Sequence, residues 1–193
     1  MKSICVFCGS SSGEAPAYRE AAQVLGRELV RRGLRLVYGG GNVGLMGAIA
    51  DAVLCAGGEV VGVIPHARLA KEVGHLGLTQ LHGVGSMHER KALMAELSDG
   101  FLALPGGFGT LEEFCEVLTW AQLGLHAKPC GLLNIDGYYD PLLKFFDQAV
   151  SEGFLRAENR ALIIAGGTVE EVLGLLASYR PVQVEKWIDK DES

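Results

Sequence analysis

The stretch Leu104-Pro105-Gly106-Gly107-Phe108-Gly109-Thr110-Leu111-Glu112-Glu113 follows a short apolar run and leads into a helical pattern. Glycines just before a helix let the backbone approach a ligand without interference from Cβ atoms. The free N–H groups of a first helical turn, together with the helix dipole, favour an anion such as phosphate. Carboxylates one turn away would repel that phosphate unless they act on another part of the ligand. The stretch therefore predicts a site for a phosphorylated sugar or nucleotide, in which an acid faces a centre that becomes positive.

Short apolar segments alternate with helical patterns along the chain, and this alternation predicts an α/β fold. Strands are predicted at 3–9, 34–38, 59–64, 100–104 and 129–134. Helices are predicted at 16–32, 45–56, 87–98, 110–123, 141–152 and 169–178. Continuous apolar strands indicate a mostly parallel sheet flanked by helices on both faces. We expect a Rossmann-like three-layer fold with one nucleotide-binding domain at 1–180 and a charged tail at 181–193.

Composition limits the classes of function. The chain has 193 residues, of which 49% are hydrophobic, so one compact domain with a single large core is expected. The net charge of −6 is opposite in sign to the basic surface that nucleic-acid binding requires, so no polynucleotide partner is expected. The apolar runs are too short to span a bilayer, and Met1 leads directly into a core strand without a targeting segment. These features predict a cytoplasmic protein that does not contact membranes.

The cysteines and histidines are scattered. Five cysteines within apolar segments predict buried thiols in a reducing compartment. Cys5 and Cys8 have the spacing of a redox motif, but within a strand their side chains point to opposite faces. The histidines lack the spacing of metal ligands, so no metal site is expected. They are His66, His75, His82, His88 and His126.

A second glycine-rich stretch, Gly39-Gly40-Gly41-Asn42-Val43-Gly44, has the spacing of a dinucleotide fingerprint between a strand and a helix. It follows the second predicted strand rather than the first, and no acidic residue closes the next strand to hold a ribose. We therefore expect a mononucleotide-sized ligand rather than NAD. A tight turn that only packs the helix against the strand is the alternative for some of these glycines.

The helix predicted after Gly109 carries an acidic cluster. Its buried stripe is predicted from four apolar residues at helical spacing, Leu111, Phe114, Cys115 and Leu118. Three acids are expected to lie together away from that stripe, Glu112, Glu113 and Glu116. Thr110 and Glu113 also fit a capping box, in which the acid would only bind the Thr110 amide. Three acids beside a glycine-rich loop favour a functional role for at least one of them.

The segment Ser86-Met87-His88-Glu89-Arg90-Lys91 begins the helix before this loop. Cations are unfavourable in a first helical turn, so Arg90 and Lys91 indicate an anionic partner. The planar donors of Arg90 suit a phosphate or a leaving base, whereas Lys91 is a point charge. The alternative is a solvated helix face on which both cations pair with Glu89 or Glu96.

These motifs resemble the LONELY GUY family. Residues 105–113 are similar to its PGGxGTxxE signature, and Met87-His88-Glu89-Arg90-Lys91 is similar to its second signature. The similarity also takes in 7–10, 38–47 and the Thr119-Trp120 pair, so it extends from the start of the chain to about residue 152. The resemblance implies a Rossmann-like homodimer that hydrolyses cytokinin riboside 5′-monophosphates to the free base and ribose 5-phosphate. Members of this family have long been labelled lysine decarboxylases.

The resemblance also implies the residues of the site. Arg90 and Glu113 would be the catalytic pair, and Glu72 would be a further acid that contacts the substrate. No metal or organic cofactor is expected, because side chains and helix ends can supply the charges. The other substrate-binding residues implied are Gly9, Ser10, Gly40, Gly41, Lys91, Gly106, Gly107, Phe108, Gly109, Thr110, Leu111, Glu112 and Thr119.

The chemistry of an N-ribosyl bond agrees with these residue types. Its cleavage builds positive charge on the anomeric carbon, which a fixed carboxylate such as Glu113 stabilises or to which it directs water. Arg90 could neutralise the departing purine, clamp the phosphate or orient Glu113, and the sequence does not separate these roles. AMP or an N6-prenylated AMP is the expected substrate.

Two other functions remain open at this point. A pyridoxal-phosphate lysine decarboxylase would use Lys91 as its Schiff-base lysine, but no acid is placed to be the pyridinium partner. One compact domain also leaves little room for a second substrate domain. A non-catalytic carrier of a nucleotide or a nucleotide-like cofactor would use the same glycine-rich loop without converting its ligand.

Overall fold

A computed structural model of the chain describes residues 1–69, 74, 75 and 77–181. Its strands form one parallel sheet in the order β4-β3-β2-β1-β5-β6-β7. They are β1 (Ser3–Phe7), β2 (Arg35–Tyr38), β3 (Val60–Pro65), β4 (Gln80–Val84), β5 (Phe101–Ala103), β6 (Cys130–Leu133) and β7 (Ile163–Gly166). The predicted parallel α/β architecture is confirmed. The predicted charged tail lies outside the described residues from 182 onward.

Helices connect the strands. They are α1 (Pro16–Arg31), α2 (Gly44–Cys55), α3 (His66–Leu69), α4 (Met87–Glu96), α5 (Phe108–Gln122), α6 (Asp140–Ser151), α7 (Ala157–Arg160) and α8 (Val169–Ser178). A short 3-10 turn, Ile135–Gly137, precedes α6. Among the helices of the described residues, none combines the length and the apolar character that crossing a bilayer requires.

The sheet is the middle of three layers. The helices α1, α2 and α8 cover one face, where Leu25, Ile49 and Leu173 are fully buried. The helices α4 and α5 cover the other face with Met94 and Phe114. Because side chains alternate along a strand, β1 supplies apolar residues to both layers. This double coverage explains why residues 4–7 of β1 are all apolar.

The sequence analysis missed two strands, and both lie at edges of the sheet. β4 lies in the segment 65–85, for which no strand was predicted, and its Gln80 and Leu81 are exposed. β7 is only four residues long. An edge strand is covered less completely than a central one, so β4 lacks the apolar run that identified the inner strands. β7 lies within the apolar run 161–165, which the sequence analysis did not interpret as a strand.

The cysteines follow the prediction in part. Cys5 and Cys8 are buried on opposite faces of the sheet, as their spacing predicted. Burial raises the pKa of both thiols well above the usual cysteine value. The prediction of buried thiols is wrong for Cys55, which is exposed at the last turn of α2.

Candidate active site

A cavity of about 350 Å³ opens at the carboxyl ends of β1 and β5. These strands are neighbours, but the helices that follow them pack on opposite faces of the sheet. Ligands of open parallel sheets bind at such a switch point. Residues 8–10, the first turns of α5 and the side chains of Met46, Met87 and Arg90 line the cavity.

Two other cavities have different surroundings. One of about 640 Å³ lies at the amino ends of the strands and is bordered by Lys2, Arg35 and Glu59. Another, of about 340 Å³, is mainly apolar and lies between the second half of α5 and α6. We take the cavity at the switch point as the candidate active site, because Arg90 and Glu113 both line it.

The first turn of α5 presents free backbone donors to this cavity. Gly107 occupies the capping position in an extended conformation, and no side chain of the described residues caps the helix. The amides of Phe108, Gly109 and Thr110 are therefore the orphan donors that every helix start leaves. All three residues line the cavity. These donors and the positive end of the helix dipole favour an anion, and the anion-binding site that the sequence predicted here stays a prediction.

The capping box considered as an alternative for Thr110 and Glu113 is not formed. The helix begins at Phe108, so Thr110 is its third residue and not its cap. The early start follows from the extended conformation of Gly107, which already occupies the capping position. Glu113 is therefore not required to satisfy a Thr110 cap. This removes the purely structural explanation for Glu113.

The three glycines of the loop have different surroundings. A Cβ atom on Gly106 would overlap the Thr110 hydroxyl and lie 2.9 Å from the Gly9 nitrogen, so this glycine permits close packing. A Cβ atom on Gly107 or Gly109 would meet no protein atom within 4 Å. The described protein therefore leaves space at Gly107 and Gly109, on the side where a ligand would approach.

Glu113 is almost buried, with 12% of its side chain exposed. The acid lies on the buried face of α5, since the fully buried residues of this helix are Thr110, Phe114, Val117 and Ala121. The prediction that all three acids lie away from the buried stripe is thus wrong for Glu113. Leu111, Cys115 and Leu118, from which the buried stripe was predicted, are only half-buried. The buried face of α5 therefore lies closer to Glu113 than the sequence predicted.

Burial raises the pKa of Glu113 above the usual glutamate range. The guanidinium of Arg90 opposes this shift, and the negative charges of Glu112 and Glu116 reinforce it. The Arg90 Nη2 atom lies 3.8 Å from the Glu113 Oε1 atom. The site therefore holds a desolvated carboxyl group whose charge depends on its cationic neighbour.

Arg90 is fixed by backbone carbonyls at the ends of two strands. Its Nε donates to the Val63 carbonyl at 3.1 Å, and its Nη2 donates to the Gly39 carbonyl at 3.3 Å. A Cβ atom on Gly39 would overlap the guanidinium, so this position of the second glycine-rich stretch accommodates Arg90. Arg90 is 7% exposed, which rules out the solvated helix face considered for it.

Lys91 binds the acids of α5. Its Nζ donates to Glu112 at 2.5 Å and to Glu116 at 3.0 Å. Burial alone lowers the pKa of Lys91, but these hydrogen bonds outweigh burial and raise it. Glu89 lies at the start of α4, where its amide donates to the Ser86 hydroxyl and its carboxylate accepts from the Gly85 amide. The alternative in which Lys91 pairs with Glu89 or Glu96 therefore does not hold.

The structure brings together some of the predicted substrate-binding residues. Gly9 and Ser10 line the cavity with the first turn of α5. Gly40 and Gly41 instead hold the loop after β3: the Gly40 carbonyl accepts from the His75 amide at 3.4 Å, and Gly41 forms a bridge with Gly74.

Three further residues have other positions. Leu111 is half-buried against the core, and its amide donates to the Gly107 carbonyl at 3.1 Å. Thr119 borders the apolar cavity, where its hydroxyl donates to the Cys115 carbonyl. Glu72 lies outside the described residues. The assignment of these residues to substrate stays a prediction.

Sequence reasoning missed Met46, Met87 and Cys8, which line the cavity. Met87 precedes Arg90 by three positions, so both lie on one face of α4, and this spacing could have identified it. In the described part of the chain, no group of three His, Cys, Asp or Glu side chains is placed to hold a metal ion.

The fold and the position of the cavity define the class of protein to which this chain belongs. A parallel sheet with a ligand-sized cavity at its switch point is the arrangement of Rossmann-like α/β proteins. The chain belongs to the LONELY GUY family, and a family model described as "possible lysine decarboxylase" matches residues 46–176. The resemblance found in the sequence motifs is thus confirmed.

Two curated relatives cover most of the chain. A probable cytokinin riboside 5′-monophosphate phosphoribohydrolase of Oryza sativa subsp. japonica is 56% identical over 93% of this chain and 79% of its own length. A cytokinin riboside 5′-monophosphate phosphoribohydrolase of Arabidopsis thaliana is 53% identical over 93% of this chain and 83% of its own. The solved structure of the molybdenum cofactor carrier protein of Chlamydomonas reinhardtii matches with a TM-score of 0.70 and 22% identity, over 91% of this chain and 96% of that one. This last likeness shows the fold alone.

Proposed function

We propose that this protein is a phosphoribohydrolase that cleaves the N-glycosidic bond of purine nucleoside 5′-monophosphates. The substrates would be AMP or N6-prenylated AMP, and the products the free base and ribose 5-phosphate. The observation that carries the proposal is the buried Glu113 carboxyl beside the Arg90 guanidinium, in the same cavity as the uncapped start of α5. The names of the two plant relatives agree with this activity.

The 5′-phosphate would bind to the first turn of α5. The amides of Phe108, Gly109 and Thr110 supply donors, and the helix dipole supplies a favourable field. Open space at Gly107 and Gly109 would let the phosphate oxygens reach the backbone. Binding energy from this non-reacting group would then position the bond to be cleaved.

Glu113 would act on the anomeric carbon. Hydrolysis breaks the bond between C1′ and the base nitrogen, and positive charge develops on the sugar. A carboxylate one turn beyond the phosphate-binding amides would stabilise that charge and direct the attacking water. Water adds its oxygen to C1′, and the bonding electron pair leaves with the base, which takes up a proton.

Arg90 would keep Glu113 ionised and oriented. Its guanidinium lowers the pKa of Glu113 against the effect of burial, and two carbonyls fix its plane. The separation of 3.8 Å leaves room for the pair to tighten when substrate enters. From the same position, Arg90 would also neutralise the negative charge that develops on the departing base.

The remaining site assignments are part of the proposal. Lys91 would act through Glu112, whose carboxylate it binds and which lines the cavity. A Schiff-base role for Lys91 is disfavoured, because such a lysine requires a lowered pKa and this one is raised. Substrate contacts by Glu72, Gly40, Gly41 and Thr119 are proposed from the family motifs.

We further propose that the protein is a homodimer. Phe145 and Phe154 stand exposed at the apolar cavity between α5 and α6, and Leu123 and Leu125 are exposed just after α5. A second copy of the chain would cover these side chains. Free thiols support a cytoplasmic location, and the net charge of −6 supports a small-molecule partner rather than a polynucleotide.

Chromatography of nucleotides after incubation with the protein tests the activity. Wild-type protein should convert AMP or N6-prenylated AMP to equal amounts of base and ribose 5-phosphate. Glu113→Gln should abolish base release and leave the affinity for AMP within about tenfold, because only transition-state stabilisation is lost. Glu96→Gln, which changes an exposed acid at the far end of α4, is the matched control and should retain activity. Tight binding of nucleotide by wild-type protein without any base release would favour a carrier.

A further inference from the structure

The turn between β6 and α6 lies behind the glycine-rich loop and binds it with two tyrosine hydroxyls. The Tyr138 hydroxyl donates to the Gly106 carbonyl at 2.8 Å. The Tyr139 hydroxyl donates to the Leu104 carbonyl at 2.5 Å. The sequence motifs of the site include neither tyrosine, and neither lines the cavity.

These two bonds complete the pairing of the loop's carbonyl groups. The Pro105 carbonyl accepts from the Gly9 amide at 3.1 Å, and the Gly107 carbonyl accepts from the Leu111 amide at 3.1 Å. Each carbonyl from 104 to 107 therefore has a donor within the protein. An anion in the cavity would consequently meet amide groups rather than lone pairs of oxygen.

The geometry of a peptide bond connects Tyr138 to the ligand side of the loop. The Gly106 carbonyl and the Gly107 N–H belong to one planar trans unit and point in opposite directions. Holding the carbonyl towards Tyr138 turns the Gly107 N–H away from it, and Gly107 lines the cavity. Rotation of this unit would replace a donor by an acceptor at the site of the phosphate. Glycine neighbours offer little steric resistance to such a rotation.

The turn that carries the tyrosines is itself fixed. The Asn134 side chain accepts from the Tyr139 amide at 2.7 Å and donates to Asp140 at 2.8 Å. The Tyr138 ring makes edge contacts with Tyr18 and Tyr139. Tyr139 is buried, and burial raises its pKa, so its hydroxyl stays a donor. The two hydroxyls are therefore held in place before any ligand binds.

We propose that Tyr138 is a positioning residue that fixes the Gly106–Gly107 peptide with its N–H towards the 5′-phosphate, and that Tyr139 anchors the preceding carbonyl for the same purpose. The inference rests on the proposed function. It assigns Tyr138 an effect on phosphorylated ligands only, because the proposed mode of binding directs the 5′-phosphate, and not the base or the sugar, to this peptide unit.

Calorimetric titration of AMP and of adenosine tests this assignment. Tyr138→Phe is made in the Glu113→Gln background, so that AMP is not consumed during the titration. Loss of one hydrogen bond that orients a donor should weaken AMP binding about five- to tenfold, while adenosine binding stays unchanged. The matched control is Tyr38→Phe, since the buried Tyr38 hydroxyl has no hydrogen-bond partner within the described residues. Tyr38→Phe should change neither affinity.

Two results would overturn the inference. One is unchanged AMP affinity in Tyr138→Phe, and the other is an equal loss for AMP and adenosine, which indicates general damage to the cavity. If Tyr138→Phe does not fold, Tyr139→Phe is titrated with AMP and adenosine in the same way, and the same two results would overturn the inference. Wild-type protein that neither binds nor cleaves AMP or N6-prenylated AMP would refute the proposed function, and this inference with it.

Discussion

Glu113 shows how a single residue combines burial with chemistry. A buried carboxylate without compensation is costly, and the structure supplies a guanidinium at 3.8 Å rather than a full set of hydrogen bonds. Such partly compensated groups are typical of functional sites, because the environment sets their pKa. Sequence spacing identified Glu113 and Arg90 as candidates. Only the structure shows that these two side chains are buried and that Glu113 does not close a capping box with Thr110. The sequence could not show this, because the position of Glu113 depends on where α5 begins.

The pH dependence of AMP cleavage follows from this environment. Burial raises the pKa of Glu113, so its carboxyl is protonated at pH values where an ordinary glutamate is ionised. Activity that needs the carboxylate should therefore fall as the pH drops through this raised pKa, and kcat/KM should show its acid limb above the ordinary glutamate range. Glu112→Gln removes a negative charge that raises this pKa, so the limb should move to lower pH. An acid limb at the ordinary glutamate value, unmoved in Glu112→Gln, would disagree with the role given to Glu113.

At the scale of elements, α4 and α5 begin in opposite ways. The Ser86 side chain caps α4, whereas α5 starts after Gly107 without a side-chain cap from the described residues. The capped helix carries the cations of the site, and the uncapped helix keeps its amides for a ligand. A missing cap is therefore consistent with function at α5, because the expected ligand would satisfy the same donors.

Gly107→Ala tests this difference. The backbone has φ −92° and a Cβ atom would meet no protein atom within 4 Å, so alanine should fold without strain. The added methyl group would stand beside the donors of the cavity, and AMP affinity should fall about tenfold to hundredfold. Calorimetry measures the affinity, and thermal unfolding confirms that the fold is intact. Gly174→Ala, in the open surroundings of α8, is the control and should bind AMP like the wild type. Unchanged AMP affinity in Gly107→Ala would contradict the proposal that the phosphate binds at the start of α5.

The inner strands could be predicted from the sequence, whereas the edge strand β4 could not. The inner strands were found because both of their faces are buried, which gives continuous apolar runs. Gln80–Val84 has no such run, since most of it is exposed at an edge. The site was found where glycines and charges share one helix start. The roles of Gly39 and Tyr138 depend on contacts with residues 51 and 32 positions away, which no local pattern encodes.

At the scale of the whole molecule, the described residues include an exposed apolar face. Phe154 and Phe145 are 81% and 61% exposed beside the apolar cavity between α5 and α6. Exposed aromatic side chains grouped around a groove are typical of an interface. Thr119, which the family motifs assign to the site, borders the same groove. A second copy on this face would therefore lie against the helix that carries Glu113.

Substitution of the apolar face should change the oligomeric state. Phe145→Glu places a charge in the proposed interface. Light scattering should therefore give the mass of one chain for this variant and the mass of two chains for the wild-type protein. Leu175→Glu on α8 is a matched control at an exposed leucine of another layer, and it should remain dimeric. A wild-type protein of one chain, or a Phe145→Glu variant that stays dimeric, would place any interface elsewhere.

The central claim is that the start of α5 holds the 5′-phosphate so that Glu113 faces the anomeric carbon. A crystal structure of the Glu113→Gln variant with AMP measures this directly. We expect the phosphate within hydrogen-bonding distance of the amides of Phe108 and Gly109, and the side chain at 113 directed at C1′. A phosphate bound at the Gly39–Gly44 turn, with C1′ remote from position 113, would contradict the claim.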